Sequence, residues 1–324
     1  MTLILSHISA LEFWRTVTSA SFPYADSAAK GASAGKPTAA QVDEIRRWGS
    51  AFLSDPVHLL VDTADSRCRG IHSSCHLHPP HLPPASFVQV ADEILVCRPE
   101  LCFVQMATKM PFPQLLELGF EFCGTYSSSS GGQKEIFQRS PLVSVEALSL
   151  FIDAVEGLRG SFDAKRALRY IAKGSASPRE TILVLLLSLP LRLGGCGLPQ
   201  PELNYPVSLT ESAQRATGKR SLRCDLYWPK ARLAVEYDSD LHHTGGDRIA
   251  DDATRRTVLA NMGIEVVTVT RRQVALRSEF AAVVQLLSKR LGKRNRKTSL
   301  SWTIRERELR SQLLGGRPED RPVL

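Results

Sequence analysis

Two β-rich runs, parted by a proline turn and carrying carboxylates inside apolar strands, limit what this chain can fold into. Leu222 to Trp228 reads Leu-Arg-Cys-Asp-Leu-Tyr-Trp and stops at Pro229, and Leu233 to Asp238 reads Leu-Ala-Val-Glu-Tyr-Asp. The pair predicts a hairpin turning around Pro229, Lys230 and Ala231. Side chains alternate along a strand, so Glu236 and Asp238 point the same way, and a hairpin in register brings Asp225 to them. An unpaired charge in an apolar strand is costly to bury. Three facing carboxylates also repel unless a cation neutralises them. Hard oxygen donors in a small cluster suit Mg2+ or Mn2+, with waters and a substrate phosphate completing the shell.

The residues beyond the hairpin extend the pattern. His242 and His243 come within one turn of chain, and Asp247 to Met262 predicts a helix. In it Asp251–Arg255 and Asp252–Arg256 are spaced to share a face. Gly263 fits the C′ position that ends such a helix. Ile264 to Val269 predicts a third strand, which Thr270-Arg271-Arg272 leaves carrying positive charge. In this order Asp225, Glu236-Tyr237-Asp238, His242, Asp252, Arg255, Leu259, Gly263 and Val266 to Thr270 resemble the Vsr-like domains. Those are relatives of the very-short-patch mismatch-repair endonuclease within the PD-(D/E)XK nuclease superfamily.

The resemblance implies a restriction-endonuclease-like mixed sheet flanked by helices. It also implies metal-dependent hydrolysis of DNA phosphodiester bonds, in a DNA-repair or phage-defence setting. Asp225 and Glu236 would hold Mg2+, which polarises the scissile phosphoryl oxygen and lowers the pKa of a bound water. His242 would take or relay a proton, and a Glu from the first helix of the domain, Glu180, would stand near the metal. Arg255 would meet a phosphate through its planar fork. Ser239 stands where the family commonly has Gly. Asp238 stands where the wider superfamily has Lys, which the Vsr-like branch also lacks. It is either a further metal ligand or the mark of a site that binds DNA and cuts poorly.

With 324 residues the chain predicts about two domains. The expected division is an α+β domain over 1–173, the nuclease-like domain over 174–297 and a basic, polar tail over 298–324, giving an α/β protein overall. At the junction Gly174 stops one helix, and Ser177 with Glu180 forms a capping box with Pro178 at N1. Glu180 therefore has two readings, a helix cap and a catalytic carboxylate. From Arg215 onward there are 23 Lys and Arg against 13 Asp and Glu, whereas residues 1–214 carry 18 against 20. The basic surplus lies wholly in the half with the carboxylates. It suits a nucleic-acid partner, with Arg271, Arg272, Lys293 and Arg294 as phosphate contacts and Lys289 to Lys297 following a backbone. The longest apolar run, Ile182 to Leu193, is too short and broken to span a bilayer, and the expectation is a cytoplasmic protein with no membrane partner. Seven irregularly spaced cysteines read as free thiols.

In the first half, Thr38 opens a helix through Phe52, and strands are expected at Val57 to Val61, Ser86 to Val90 and Ile94 to Cys97. Residues 25–40 and 125–134 read as loops. Cys68, His72, Cys75, His76, His78 and His81 are dense enough to suggest zinc, but no CxxC pair is present and structural histidines are the better reading. Helices are expected from Arg98, over Leu115 to Phe122, Ser144 to Gly157 and Asp163 to Lys173. Val57-His58-Leu59, Leu82 to Phe87, Arg98-Pro99-Glu100 and Ala167 to Tyr170 loosely resemble the regions preceding Vsr-like domains in AbiEi-type abortive-infection antitoxin proteins. That resemblance implies a regulatory setting with a toxin partner. It keeps alive a second function, a non-catalytic DNA-binding regulator that uses a degenerate nuclease fold as scaffold.

Overall fold

The computed structural model describes residues 2–18, 34–68, 70–128, 137–238, 246–293 and 299–315, and in the helix that opens at Gly246 it describes side chains from Ala253 onward. The chain is an α/β protein that divides into two compact units, Met1–Lys173 and Gly174–Leu324. Among the described residues no helix is long and apolar enough to cross a membrane.

The first unit is built on β1 (Leu3–Leu5), which three buried side chains fix at the middle of a sheet. Helices α1 (His7–Thr16) and α2 (Ala39–Trp48) come next, then β2 (Val57–Val61), β3 (Ser73–Leu77), β4 (Phe87–Ala91) and β5 (Ile94–Cys97). The sheet order is β3-β2-β1-β5-β4, with β1 parallel to β5 and antiparallel to β2. Thr38 caps α2 reciprocally with Gln41, as its sequence predicts. The helix ends at Trp48, short of the expected Phe52. Helices α3 (Pro99–Met106) and α4 (Phe112–Phe122), the short ribbon of β6 (Tyr126–Ser127) with β7 (Phe137–Gln138), and helices α5 (Val145–Ala154) and α6 (Ser161–Leu168) complete the unit. Ser6 precedes α1, and the Ser9 hydroxyl within the helix accepts the His58 amide at 2.9 Å.

The histidine-rich stretch contributes β3, which the sequence did not signal. His58 Nδ1 and His76 Nε2 lie 2.8 Å apart, and His7 stacks on His76 at 3.8 Å. Burial, reinforced by the neighbouring imidazoles, lowers His7 to about 3 and His76 to about 4. Of the histidine-rich stretch, His76 is thus a ring packed between His7 and His58.

The second unit opens with α7 (Pro178–Ser188), apolar on every face and buried from Glu180 through Leu187. It continues through β8 (Glu202–Ser208), α8 (Glu211–Thr217), β9 (Ser221–Trp228), β10 (Leu233–Asp238), α9 (Gly246–Asn261), β11 (Glu265–Thr270), α10 (Arg271–Ala275), α11 (Arg277–Arg290) and α12 (Leu300–Leu314). The mixed sheet runs β11-β10-β9-β8. β9 is antiparallel to both neighbours, and β10 is parallel to β11 across the α9 crossover. Gly263, at φ +72°, ends α9 in the left-handed conformation expected of a C′ glycine. Val258 and Leu259 of α9 pack with Leu222, Cys224, Ala234 and Ile264 to form the core under the sheet. β8 is an edge strand, which is why it tolerates Pro206 within it.

The polar and basic stretch Ser212 to Ser221 is mostly α8, whose N-terminus Thr210 caps through a bond from the Ala213 amide. Within the stretch 298–324, where the sequence offers one more helix from Trp302 to Leu314 ahead of a polar tail, α12 packs on α7 and buries Leu309 and Leu313. Its Trp302 Nε1 donates to the Gly195 carbonyl at 2.9 Å, so tertiary packing holds this helix despite its polar composition.

Candidate active site

β9 and β10 pair as Leu233 with Trp228, Ala234 with Tyr227 and Val235 with Leu226. The same register would next place Glu236 opposite Asp225, but the backbone ladder ends there. A side chain takes over: the Tyr237 amide donates to Asp225 Oδ2 at 2.9 Å. An acidic residue inside an apolar strand is thus anchored where the two strands stop pairing. On the other side of β9, the pairs Leu203–Leu226 and Tyr205–Cys224 flank Asn204 and Asp225. Asn204 has φ 48°, a left-handed conformation that asparagine tolerates better than most residues. Its Nδ2 donates to Glu180 Oε2 at 2.6 Å and to the Gly174 carbonyl at 3.0 Å.

Glu180 serves the cap that its sequence context predicts. Its amide donates to Ser177 Oγ at 3.2 Å, and its carboxylate accepts from the Ala176 amide and from Ser177 Oγ, each at 3.0 Å. Burial raises its pKa, against the pull of these donors and of the Arg223 charge. Capping does not remove it from the cluster. Asp225 is pushed up to about 6, first by burial and then by the Glu180 charge, with Glu236 adding to the effect. The Tyr237 amide and Arg255 oppose that rise. Its donors offset part of the rise at Glu180, while at Asp225 the Glu180 charge adds to the effect of burial.

Glu236 is half-buried on β10, beside Thr268 of β11. Arg255, two turns before the end of α9, donates from Nε to Glu236 Oε1 at 3.0 Å. A terminal nitrogen of the same guanidinium bonds both Glu236 and the Arg223 carbonyl. The helix-local partner expected for Arg255, Asp251, has a side chain outside those described, as does Asp252. Asp238 stands exposed at the end of β10, opposite Thr270, while the carboxylates acting on Asp225 are Glu180 and Glu236.

His242 and Arg294 lie outside the described residues. Arg271 and Arg272 open α10, where the Arg272 Nε donates to Glu279 at 2.9 Å. Lys293 is exposed just beyond α11. The structure thus brings Glu180, Asp225, Glu236 and Arg255 together and leaves Asp238, Arg272 and Lys293 on the surface. Asn204 and Arg223 escape notice in the sequence. The one signal for Asn204 is an asparagine, a residue that favours turns, inside a strand.

Among the described residues no three His, Cys, Asp or Glu side chains converge in the geometry of a metal site. Mg2+ asks for less, since one or two carboxylates with waters and phosphate suffice. Asp225 and Glu236 fit that requirement by chemistry: hard oxygen donors on adjacent strands, carrying repulsion that a cation would relieve.

No family model matches the chain, and no solved structure matches it. Two curated proteins of Mycobacterium tuberculosis are similar to it over 73 residues at 37% identity. They are "Uncharacterized protein MT2308", from strain CDC 1551 / Oshkosh, and "Uncharacterized protein Rv2248", from strain ATCC 25618 / H37Rv. The match covers 22% of this chain and 24% of each relative, so the chain spans about a quarter of their length. Neither name carries an activity.

Proposed function

We propose that the second unit is a metal-dependent endonuclease acting on DNA, of the Vsr-like kind within the PD-(D/E)XK superfamily. One observation carries this reading: carboxylates from α7, β9 and β10 meet a guanidinium from α9 where the central strands cease to pair. A surface carboxylate would stay with water, whereas Asp225 and Glu236 are drawn among apolar strands, where burying charge is costly.

Asp225 and Glu236 would hold Mg2+ or Mn2+. When bound, the ion would supply Lewis-acid polarisation of the phosphoryl oxygen and an acidified water. Arg255, half-buried beside Glu236, is placed to take a phosphate through its fork once the carboxylate is otherwise engaged. Glu180, fixed by Asn204 and the α7 cap, adds negative charge that favours cation capture at Asp225. His242 would relay the proton, and the basic residues of the C-terminal half would follow the phosphate backbone. The resemblances assign this activity to DNA repair or phage defence, with a toxin as partner if the antitoxin-like first half is regulatory.

The test is nicking of supercoiled plasmid with Mg2+, with Mn2+ and with EDTA, using wild type and Glu236→Gln. Cleavage that needs the metal and vanishes in the variant supports the proposal, and wild type that leaves DNA intact with both metals refutes it. The Arg255–Glu236 pair also favours a second reading, a DNA-binding regulator whose carboxylate is already neutralised. That protein would bind DNA equally well in EDTA and cut nothing.

A further inference from the structure

The first unit contains an arrangement that the nuclease reading does not use. Gly70 and Ser73 form an antiparallel bridge around a tight turn. Carried two residues outward, that register sets Cys68 opposite Cys75, the central residue of β3. The Cys68 amide donates to Cys75 Sγ at 3.3 Å, so the two cysteines are in contact. Residues facing each other across antiparallel strands have Cα atoms about 4.5 to 5.5 Å apart. A disulfide accepts about 4.4 to 6.8 Å.

Access differs sharply among the cysteines. Cys97, Cys102, Cys123 and Cys224 are buried, whereas Cys68, Cys75 and Cys196 are half-buried, and of these three Cys68 and Cys75 are in contact. Both line an open cleft with Lys36, Arg67 and His72, so a small oxidant reaches them from solvent. The reduced state has its own restraint, a bond from Cys68 Sγ to the Pro37 carbonyl at 2.7 Å. β3 is an edge strand, and a bond here would tie it to the segment leading out of β2.

We infer that Cys68 and Cys75 are a modification site, a dithiol that closes reversibly to a disulfide and staples the β3 edge. With oxidised glutathione as electron acceptor the chemistry balances. One cysteine thiolate attacks a glutathione sulfur, forming a mixed disulfide and releasing one glutathione thiol. The second cysteine attacks that mixed disulfide, closing Cys68–Cys75 and releasing the other. Two electrons pass from the protein to the two glutathione molecules. Burial, and after it the nearby Cys75, raises the Cys68 thiol above its ordinary pKa, with Lys36 opposing. Closure should therefore quicken as the pH rises from neutral.

The experiment equilibrates the full chain with graded ratios of oxidised to reduced glutathione, blocks free thiols by alkylation, and maps tryptic peptides without reduction. Trypsin cleaves after Arg67 and Arg69, so Cys68 leaves on a dipeptide unless a disulfide holds it. The expected product is that dipeptide joined to the peptide bearing Cys75, two hydrogens lighter than the reduced pair, formed faster at higher pH and undone by reductant. Cys75→Ser should instead stop at a mixed disulfide between Cys68 and glutathione, while Cys196→Ser should still form the pair. Wild type with both thiols alkylated at the most oxidising ratio overturns the inference. So does preferential pairing of either cysteine with another partner.

Discussion

Replacing Asp225 with Asn probes the cluster through its repulsion. The Asp225 carboxyl ionises at about 6 because burial, Glu180 and Glu236 disfavour its charge. In the unfolded chain it ionises near its usual value of about 4. Below about pH 4 both states hold the proton, and Asp225→Asn should change stability little. Between about pH 4 and 6 the unfolded chain loses its proton first, so wild-type stability falls as pH rises. Above that window the full penalty stands, at most about 3 kcal/mol. Asn keeps the shape and an oxygen for the Tyr237 amide while removing the charge. In metal-free buffer the variant should therefore melt higher than wild type at neutral pH. For a unit of this size about 3 kcal/mol corresponds to roughly 6 to 12 °C as an upper bound. Melting both proteins by circular dichroism across this range, with EDTA present, gives the comparison. A variant that melts at or below wild type at every pH means that the fold welcomes the Asp225 charge, and the repulsion argument fails.

Under the nuclease proposal Mg2+ or Mn2+ should raise the wild-type melting temperature with concentration, because it binds only the folded state. Glu236→Gln should abolish that response, and a flat wild-type curve in differential scanning fluorimetry removes the metal from the account. Asn204→Ala withdraws two donors, one to Glu180 and one to the Gly174 carbonyl. It should lower stability by about 1 to 3 kcal/mol in urea unfolding; an unchanged midpoint would leave Asn204 without a role as clamp. Lys289→Gln with Lys293→Gln should weaken DNA binding independently of sequence and reduce the salt slope by about one for each lost phosphate contact. Anisotropy titrations at several salt concentrations read that slope, and an unaltered slope would leave both lysines as solvated charges.

Sequence patterns reveal the elements whose causes are local. β2 and β5 match their apolar runs at Val57–Val61 and Ile94–Cys97, and α7 begins where Ser177, Pro178 and Glu180 say it should. The β9–β10 hairpin is legible because two β-rich runs flank Pro229. Elements created by tertiary pairing are not. β1 has only three residues and becomes a strand because β2 and β5 bracket it. β3, half polar and rich in chemistry-bearing side chains, runs along the edge of β2. At the site, the hairpin register points Asp225 toward Glu236 just past the last ladder pair, but Asn204 acts through a left-handed backbone that no periodicity encodes. Arg255 has a helix-local carboxylate four residues away in sequence, yet its guanidinium reaches Glu236 on β10. A side chain long enough to cross between elements defeats any argument confined to one helix.

Arg255 is also where the two functional readings part. Its guanidinium already answers the Glu236 charge and caps the Arg223 carbonyl, so the resting cluster is only partly unbalanced. Among the described residues no equivalent cation bonds Glu180 or Asp225, and burial together with the Glu180 charge raises Asp225. A divalent ion drawn there would compete with Arg255 for Glu236. Releasing the arginine would then free a planar cation beside the metal ligands, where a phosphodiester must lie. Cation and phosphate would each strengthen the other's binding, since each removes a competitor for the same group. A regulator that merely used the scaffold gains nothing from that exchange. For such a protein Arg255 would be a permanent partner of Glu236, and the charge at Asp225 would be a penalty with no return.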